Sequence, residues 1–204
     1  MDIVVVGHLS RDLIVTPDAT REALGGGTAY AMLAPTLGVS ASAIISKVGS
    51  DFEETYWHTL KSAGLVLKGL QKEGARTTRF VNKYDSEGNR VQVVESLAEQ
   101  ITPQDFPDDY HDAKIMHFSP LSANEIDIEC IKLARTNAKI TSLDVQGYIR
   151  SIDNSGVVVP RDWIERDDIL SLVDVVKFHE LELKQTVKGE SELSAVSEIL
   201  SLGP

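Results

Sequence analysis

The first apolar positions of the chain form short continuous runs. Ile3-Val4-Val5-Val6 is β-branched throughout and closes at Gly7, the pattern of a strand buried on both faces in a parallel sheet covered by helices. Asp12-Leu13-Ile14-Val15-Thr16 predicts a second strand, stopped by Pro17 and Asp18. Gly25, Gly26 and Gly27 open a small-residue helical stretch from Thr28 to about Leu37, with Gly38 as its C-cap and Pro35 distorting its last turn. Ser42–Ser46 reads as a strand. Asp51 and Glu54 then have capping-box spacing for a helix that ends near Leu60, Ala63 and Gly64. Strand and helix alternate, which predicts an α/β fold.

The middle departs from that rhythm. Thr77–Tyr84 and Arg90–Val94 flank the turn residues Asp85-Ser86-Glu87-Gly88-Asn89, a hairpin pattern with polar residues at alternate positions. Only one face of it is expected to be buried, and it reads as part of a lid. The alternation returns with a strand at Lys114–Phe118, and Ser122 with Glu125 is expected to cap a helix running to about Asn137. Strands follow at Ile140–Leu143, leading into Asp144, and at Val173–Lys177, with a helix from Glu190 to Leu200. Residues 1–204 thus read as one α/β domain with lid strands at about 12–24 and 76–97.

Composition narrows the function. The formal net charge is −11 and the sequence pI about 4.9, which disfavours a nucleic-acid binder or an anionic membrane surface but leaves room for a local basic pocket. The single cysteine, Cys130, excludes an internal disulfide and a multi-thiolate zinc site. The acidic start is unlike a signal peptide, and no apolar run approaches the ~20 residues of a membrane span. A protein of a reducing, cytoplasmic compartment is expected.

Candidate chemistry is sparse. Asp12 lies near the end of the first βα segment, where open α/β sheets place ligands, and a carboxylate there can accept hydrogen bonds from two neighbouring sugar or polyol hydroxyls. An exposed turn aspartate is the equal alternative. Gly25–Gly27 permits close backbone approach to a ligand at a helix start, or serves as a hinge. It lacks the spacing of a dinucleotide fingerprint or a P-loop. The five histidines form no metal-ligand pair. His117 reads as a satisfied or site-lining histidine, Cys130 as core, and Asp105–Asp112 as a solvated loop.

In order, these segments resemble the ribokinase-like (PfkB-type) carbohydrate kinases. The matches are the opening strand to Gly7 with Asp12, Gly25–Ala31, Leu37-Gly38, Lys47–Asp51, Gly88-Asn89-Arg90, Asp144–Arg150 and Val176–Glu182. The resemblance implies a three-layer αβα sheet with a small β lid. It implies a kinase transferring the ATP γ-phosphoryl group to a hydroxyl of a sugar, polyol or nucleoside. Asp12, Gly26, Gly27 and Tyr30 would bind that substrate. His179 and Glu182 would face the nucleotide, Glu182 acting on Mg2+ indirectly through the phosphates. The chain departs from the family pattern at Ala29 and His179, where asparagines are usual. The family's late Gly-Ala-Gly-Asp motif, which supplies the catalytic base, is absent from the sequence. The chain therefore reads as a fragment without the C-terminal nucleotide-binding part, inactive alone. A non-catalytic ligand-binding or interaction module is the alternative. Phe80, Val91, Val93 and Val94 on an unpaired hairpin edge add the expectation of a homodimer through the lid strands.

Overall fold

The computed structural model describes residues 1–187 and 191–204. Strand β1 (Ile3–Val6) runs parallel to β4 (Ser42–Val48) on one side and β8 (Ile115–Phe118) on the other. The sheet extends beyond β4 to β5 (Val66–Lys72), and beyond β8 to β9 (Ile140–Asp144) and β12 (Val175–Lys177). All six strands are parallel, in the order β12-β9-β8-β1-β4-β5.

The unbroken apolar runs have a direct structural reason. Val4, Val6, Ala43 and Ile45 enter one core with α2 (Ile128–Asn137), α3 (Arg166–Leu170) and α5 (Glu192–Leu202). Val5 and Ile44, one residue out of step, enter a second core with α1 (Glu54–Ser62) and the Gly27–Leu33 segment. Successive strand side chains point to opposite faces, so a sheet covered on both sides needs no polar alternation. This is the three-layer αβα arrangement.

A second, four-stranded sheet stands apart from the first, in the order β3 (Thr20–Gly25), β2 (Ser10–Val15), β6 (Thr78–Tyr84), β7 (Arg90–Ser96). Its central pair, β2 and β6, is parallel, and both outer pairs are antiparallel. A short ribbon of β10 (Arg150–Ile152) and β11 (Val158–Pro160) turns against β7, where Val94 N donates to Gly156 O at 2.8 Å. The hairpin edge expected to be unpaired is therefore partly occupied. Phe80 is only 2% exposed, so it is no interface residue, whereas Val91 is 51% exposed.

Other expectations are corrected. The small-residue stretch forms two 3-10 segments, Gly27–Leu33 and Pro35–Leu37, and Pro35 opens the second while Gly38 closes it at φ 84°. Asp51 does not cap α1, whose N-cap is Glu53; its carboxylate accepts from Thr77 N and Oγ1, both at 2.7 Å. Glu125 does not cap α2 either, because Asp127 does. Asp105 is buried and bound to Lys47 at 3.1 Å, so the acidic loop is only partly solvated. Strand β5 and α4 (Glu180–Thr186) had no sequence expectation. The expected start of the last helix, Glu190, lies outside the described residues, and α5 begins at Glu192. No helix among the described residues is long and apolar enough to cross a membrane.

Candidate acceptor cavity

Period-two geometry brings one face of the second sheet together. Ser10 and Asp12 from β2, Phe80 and Asn82 from β6, and Arg90 and Gln92 from β7 all point the same way and line a cavity of about 480 Å3. The opposite wall comes from the carboxyl ends of the main-sheet strands: Ser119 after β8, and Asp144 and Gln146 at and after β9. Open α/β sheets place ligands at this edge. Gly25, Gly26, Gly27 and Tyr30 complete the rim. Asp12, Gly26, Gly27 and Tyr30 thus lie together, Tyr30 being 71% exposed at the mouth.

The glycines are needed for this closeness. Gly26 sits at φ 90°, and a Cβ on it would overlap the His8 carbonyl. A Cβ on Gly27 would overlap Ser119 Oγ. Either side chain would push the two walls apart.

A chain of amides spans the cavity. Asn82 Nδ2 donates to Asp12 Oδ2 at 3.4 Å, Gln92 Nε2 donates to Asn82 Oδ1 at 2.9 Å, and Arg150 donates to Gln92 Oε1 at 3.4 Å. With its oxygen turned inward, Gln146 accepts from Arg150 at 2.8 and 3.2 Å. Asp12 Oδ1 is buried with no partner in the protein. Burial raises its carboxyl above the ordinary aspartate range, and the Ser10 hydroxyl, the Arg90 charge and the Asn82 amide oppose that shift. A cavity-lining carboxylate with an unsatisfied oxygen is suited to a ligand hydroxyl.

His179 and Glu182 stand elsewhere. Glu182 lines an adjoining cavity of about 340 Å3, which shares Arg90, Gln92 and Arg150 with the first. The two residues cap α4 reciprocally: Glu182 accepts from His179 N at 2.6 Å, and His179 Nδ1 accepts from Leu181 N at 3.2 Å. Lys177 lies between the sites, 3.2 Å from Asp144 and 3.8 Å from Glu182. No group of three or more possible ligands able to hold a metal occurs among the described residues. Single carboxylates such as Glu182 suit Mg2+ carried on phosphates, which takes one or two protein oxygens, rather than a protein cage. A larger cavity of about 590 Å3 near α3 is lined by Arg166, Asp167 and Glu198, which pair with one another, and holds none of the candidates.

Behind the cavity lies a buried polar junction. His8 Nε2 donates to Glu99 O at 3.0 Å, and Nδ1 lies 2.9 Å from the Thr78 hydroxyl and 3.5 Å from the Glu125 carboxylate. Glu125 accepts from His8 N at 2.6 Å and Leu121 N at 2.9 Å. His117 is satisfied by Ser142 Oγ at 3.0 Å, and burial pushes its imidazole pKa down. Burial takes the Cys130 thiol up to about 12, consistent with an inert core residue.

No family model matches the chain. A cytidine kinase from Thermococcus kodakarensis is 26% identical over 206 residues, covering 98% of this chain and 69% of that protein. A solved pyrophosphate-dependent kinase in the ribokinase family, complexed with a pyrophosphate analog and myo-inositol, matches with a TM-score of 0.85 at 26% identity. The match covers 98% of this chain and 69% of that one. A fructokinase from Xylella fastidiosa with bound ATP shares the fold, with a TM-score of 0.76, 21% identity and coverage of 99% and 69%. The likeness to the ribokinase-family structures extends over nearly the whole chain, and so over both sheets. In sequence and fold the chain is similar to kinases of the ribokinase family.

Proposed function

We propose that these residues form the acceptor half of a kinase that phosphorylates a hydroxyl of a sugar, polyol or nucleoside. The observation that carries this reading is Asp12, which lines the cavity while its buried Oδ1 has no partner in the protein. Asp12 would accept from vicinal hydroxyls, while Gly26 and Gly27 let the substrate approach the backbone and Tyr30 covers its exposed side. The second sheet would act as the lid. Asn82 and Gln92 orient the Asp12 carboxylate, and Arg150 closes the far end.

The donor belongs to the same proposal. ATP with Mg2+ is the donor that the family resemblance implies, and an ATP-bound fructokinase supports it; a pyrophosphate-dependent relative keeps pyrophosphate as the competing donor. Mg2+ would neutralise phosphate charge at Glu182, on the far side of Arg150. No Gly-Ala-Gly-Asp sequence occurs in the chain, and phosphoryl transfer rests on positioning and charge stabilisation. The reading therefore expects binding without turnover from these 204 residues alone. A cytoplasmic setting and the absence of nucleic-acid or membrane partners go with it. Dimerisation through the second sheet also belongs to this proposal, with β3 as the open outer strand among the described residues.

Calorimetric titration with pentoses, hexoses, myo-inositol and cytidine tests the reading. At least one compound should bind, and Asp12→Ala should abolish that binding without unfolding the chain. Binding that survives Asp12→Ala would place the acceptor elsewhere.

A further inference from the structure

The chain crosses between the main and second sheets four times: from β1 to β2, from β3 to Gly27, from β5 to β6, and from β7 back toward β8. All four crossings meet at His8. The residue itself lies on the first, between the end of β1 and the start of β2. Its carbonyl packs against Gly26 on the second, where a Cβ would stand 2.3 Å from the oxygen. Its ring lies 2.9 Å from the hydroxyl of Thr78, the first residue of β6, and donates to the Glu99 carbonyl on the fourth at 3.0 Å. The Thr78 hydroxyl also accepts from Ala98 N at 3.0 Å. Glu125 joins from the main-sheet side, holding both His8 N and Leu121 N, and Leu121 lines the acceptor cavity.

The junction is dry and contains a carboxylate. His8 is 1% exposed and Glu125 2%. Both Glu125 oxygens accept backbone N–H groups, at 2.6 and 2.9 Å, which favours the ionised form. Among the described residues Glu125 forms no ion pair with a lysine or arginine, and the cationic group in reach is the imidazole, whose Nδ1 lies 3.5 Å from Oε2. A buried carboxylate without a counter-charge is costly, so the balance calls for a proton on His8 Nδ1 as well as on Nε2. The neighbouring titratable side chains supply no cation. Glu99 meets the ring through its backbone carbonyl, and burial, followed by the Glu125 charge, pushes the Tyr148 phenol up and keeps it neutral.

We propose that His8 is a positioning residue for the acceptor site: as an imidazolium paired with Glu125 it pins the second sheet to the main sheet, and loss of its Nδ1 proton loosens the two walls and weakens acceptor binding. The inference rests on the acceptor-site reading above. His8 does not line the cavity and acts through Gly26, Leu121 and strands β6 and β7.

NMR of the ring nitrogens in isotope-labelled chain reads the charge state without a variant. Both His8 nitrogens should carry protons at neutral pH, and a proton on Nε2 alone overturns the inference. Calorimetry with pentoses, hexoses, myo-inositol and cytidine, from about pH 5 upward until the Nδ1 proton has left, reads the coupling. For a compound that binds, affinity should fall about tenfold on the alkaline side, with its midpoint where NMR shows that proton leaving. Asp12, whose carboxyl is raised by burial, weakens binding on the acid side instead. His8→Gln keeps an N–H donor but carries no charge, so it should bind weakly throughout, keep the acid limb and lose the alkaline one. If that variant does not fold, the ring-nitrogen spectra and the pH profile of the unaltered chain still decide. An affinity that is unchanged as the Nδ1 proton leaves, or an alkaline fall that persists in His8→Gln, overturns the inference and leaves the acceptor reading standing. If no compound binds at any pH, the acceptor reading falls and takes the inference with it.

Discussion

Asn82 Nδ2 lies 3.4 Å from Asp12 Oδ2, so the central parallel pair of the second sheet presents a carboxylate already oriented by its neighbouring strand. Asn82→Leu would remove the amide donor to Asp12 and the acceptor of Gln92 Nε2. A hydrogen bond to a charged group contributes about 1.5–3 kcal/mol, so acceptor affinity should fall by roughly tenfold or more. Calorimetry on the folded variant measures this directly.

The raised pKa of Asp12 has a consequence for stability. The folded chain holds the Asp12 proton more tightly than the unfolded chain, so this group favours folding at low pH and loses that effect as pH rises through its folded value. Asp12→Asn should therefore raise Tm at pH 7 while abolishing acceptor binding. The gain should vanish below the ordinary aspartate value of 3.8, where both side chains are neutral. Paired melting curves across pH 3–8 give the comparison.

Lys47 is pinned between Asp105 at 3.1 Å and Glu73 at 2.8 Å, with its side chain 7% exposed. Burial lowers its pKa, but the two carboxylates more than offset this and leave it raised. Lys47→Met would strand the buried Asp105 charge and should cost about 3 kcal/mol in denaturant unfolding. Adding Asp105→Asn should recover part of the loss.

Gly27→Ala should destabilise the chain by about 1–3 kcal/mol through overpacking against Ser119. Ser119→Gly removes the atoms that the new methyl meets, so the double variant should regain stability. Chemical denaturation of the four proteins forms the cycle.

Glu125→Ala would leave His8 N and Leu121 N buried without acceptors. Each orphaned donor costs about 1–3 kcal/mol. Glu125→Gln, which keeps one acceptor oxygen, should lose less than Glu125→Ala in the same unfolding assay.

What the sequence revealed, and what it hid, divides by distance along the chain. The β-branched run at Ile3–Val6 specifies a doubly covered strand because burial on both faces is written residue by residue. Asp12 and Gly25–Gly27 are legible as site candidates because strand end and glycine cluster lie close together. Asp51 and Glu125 depart from their local pattern for the opposite reason. Each has the i, i+3 spacing of a local cap, yet Asp51 binds a residue 26 positions away and Glu125 one 117 positions away. The place of Asn82, Gln92 and Arg150 in the cavity wall is likewise set by distant pairing, although alternation along the hairpin puts Phe80, Asn82, Arg90 and Gln92 on one face. His179 and Glu182 matched a motif, and the structure adds what the motif does locally, which is to start α4.

The parallel pairing of β2 with β6 sets an order of assembly. Ser10 pairs with Thr78, and the chain between them supplies β4, α1 and β5. The second sheet cannot close until that whole βαβ unit has been made, and its outer strand gains the Gly156 contact later still. Such long-range pairings must pay their loop-closure entropy before they are rewarded, which makes them slow. During synthesis β1, β4 and β5 are therefore made before the second sheet can close, and the cavity between the two sheets is complete only once residues 119–150 have followed.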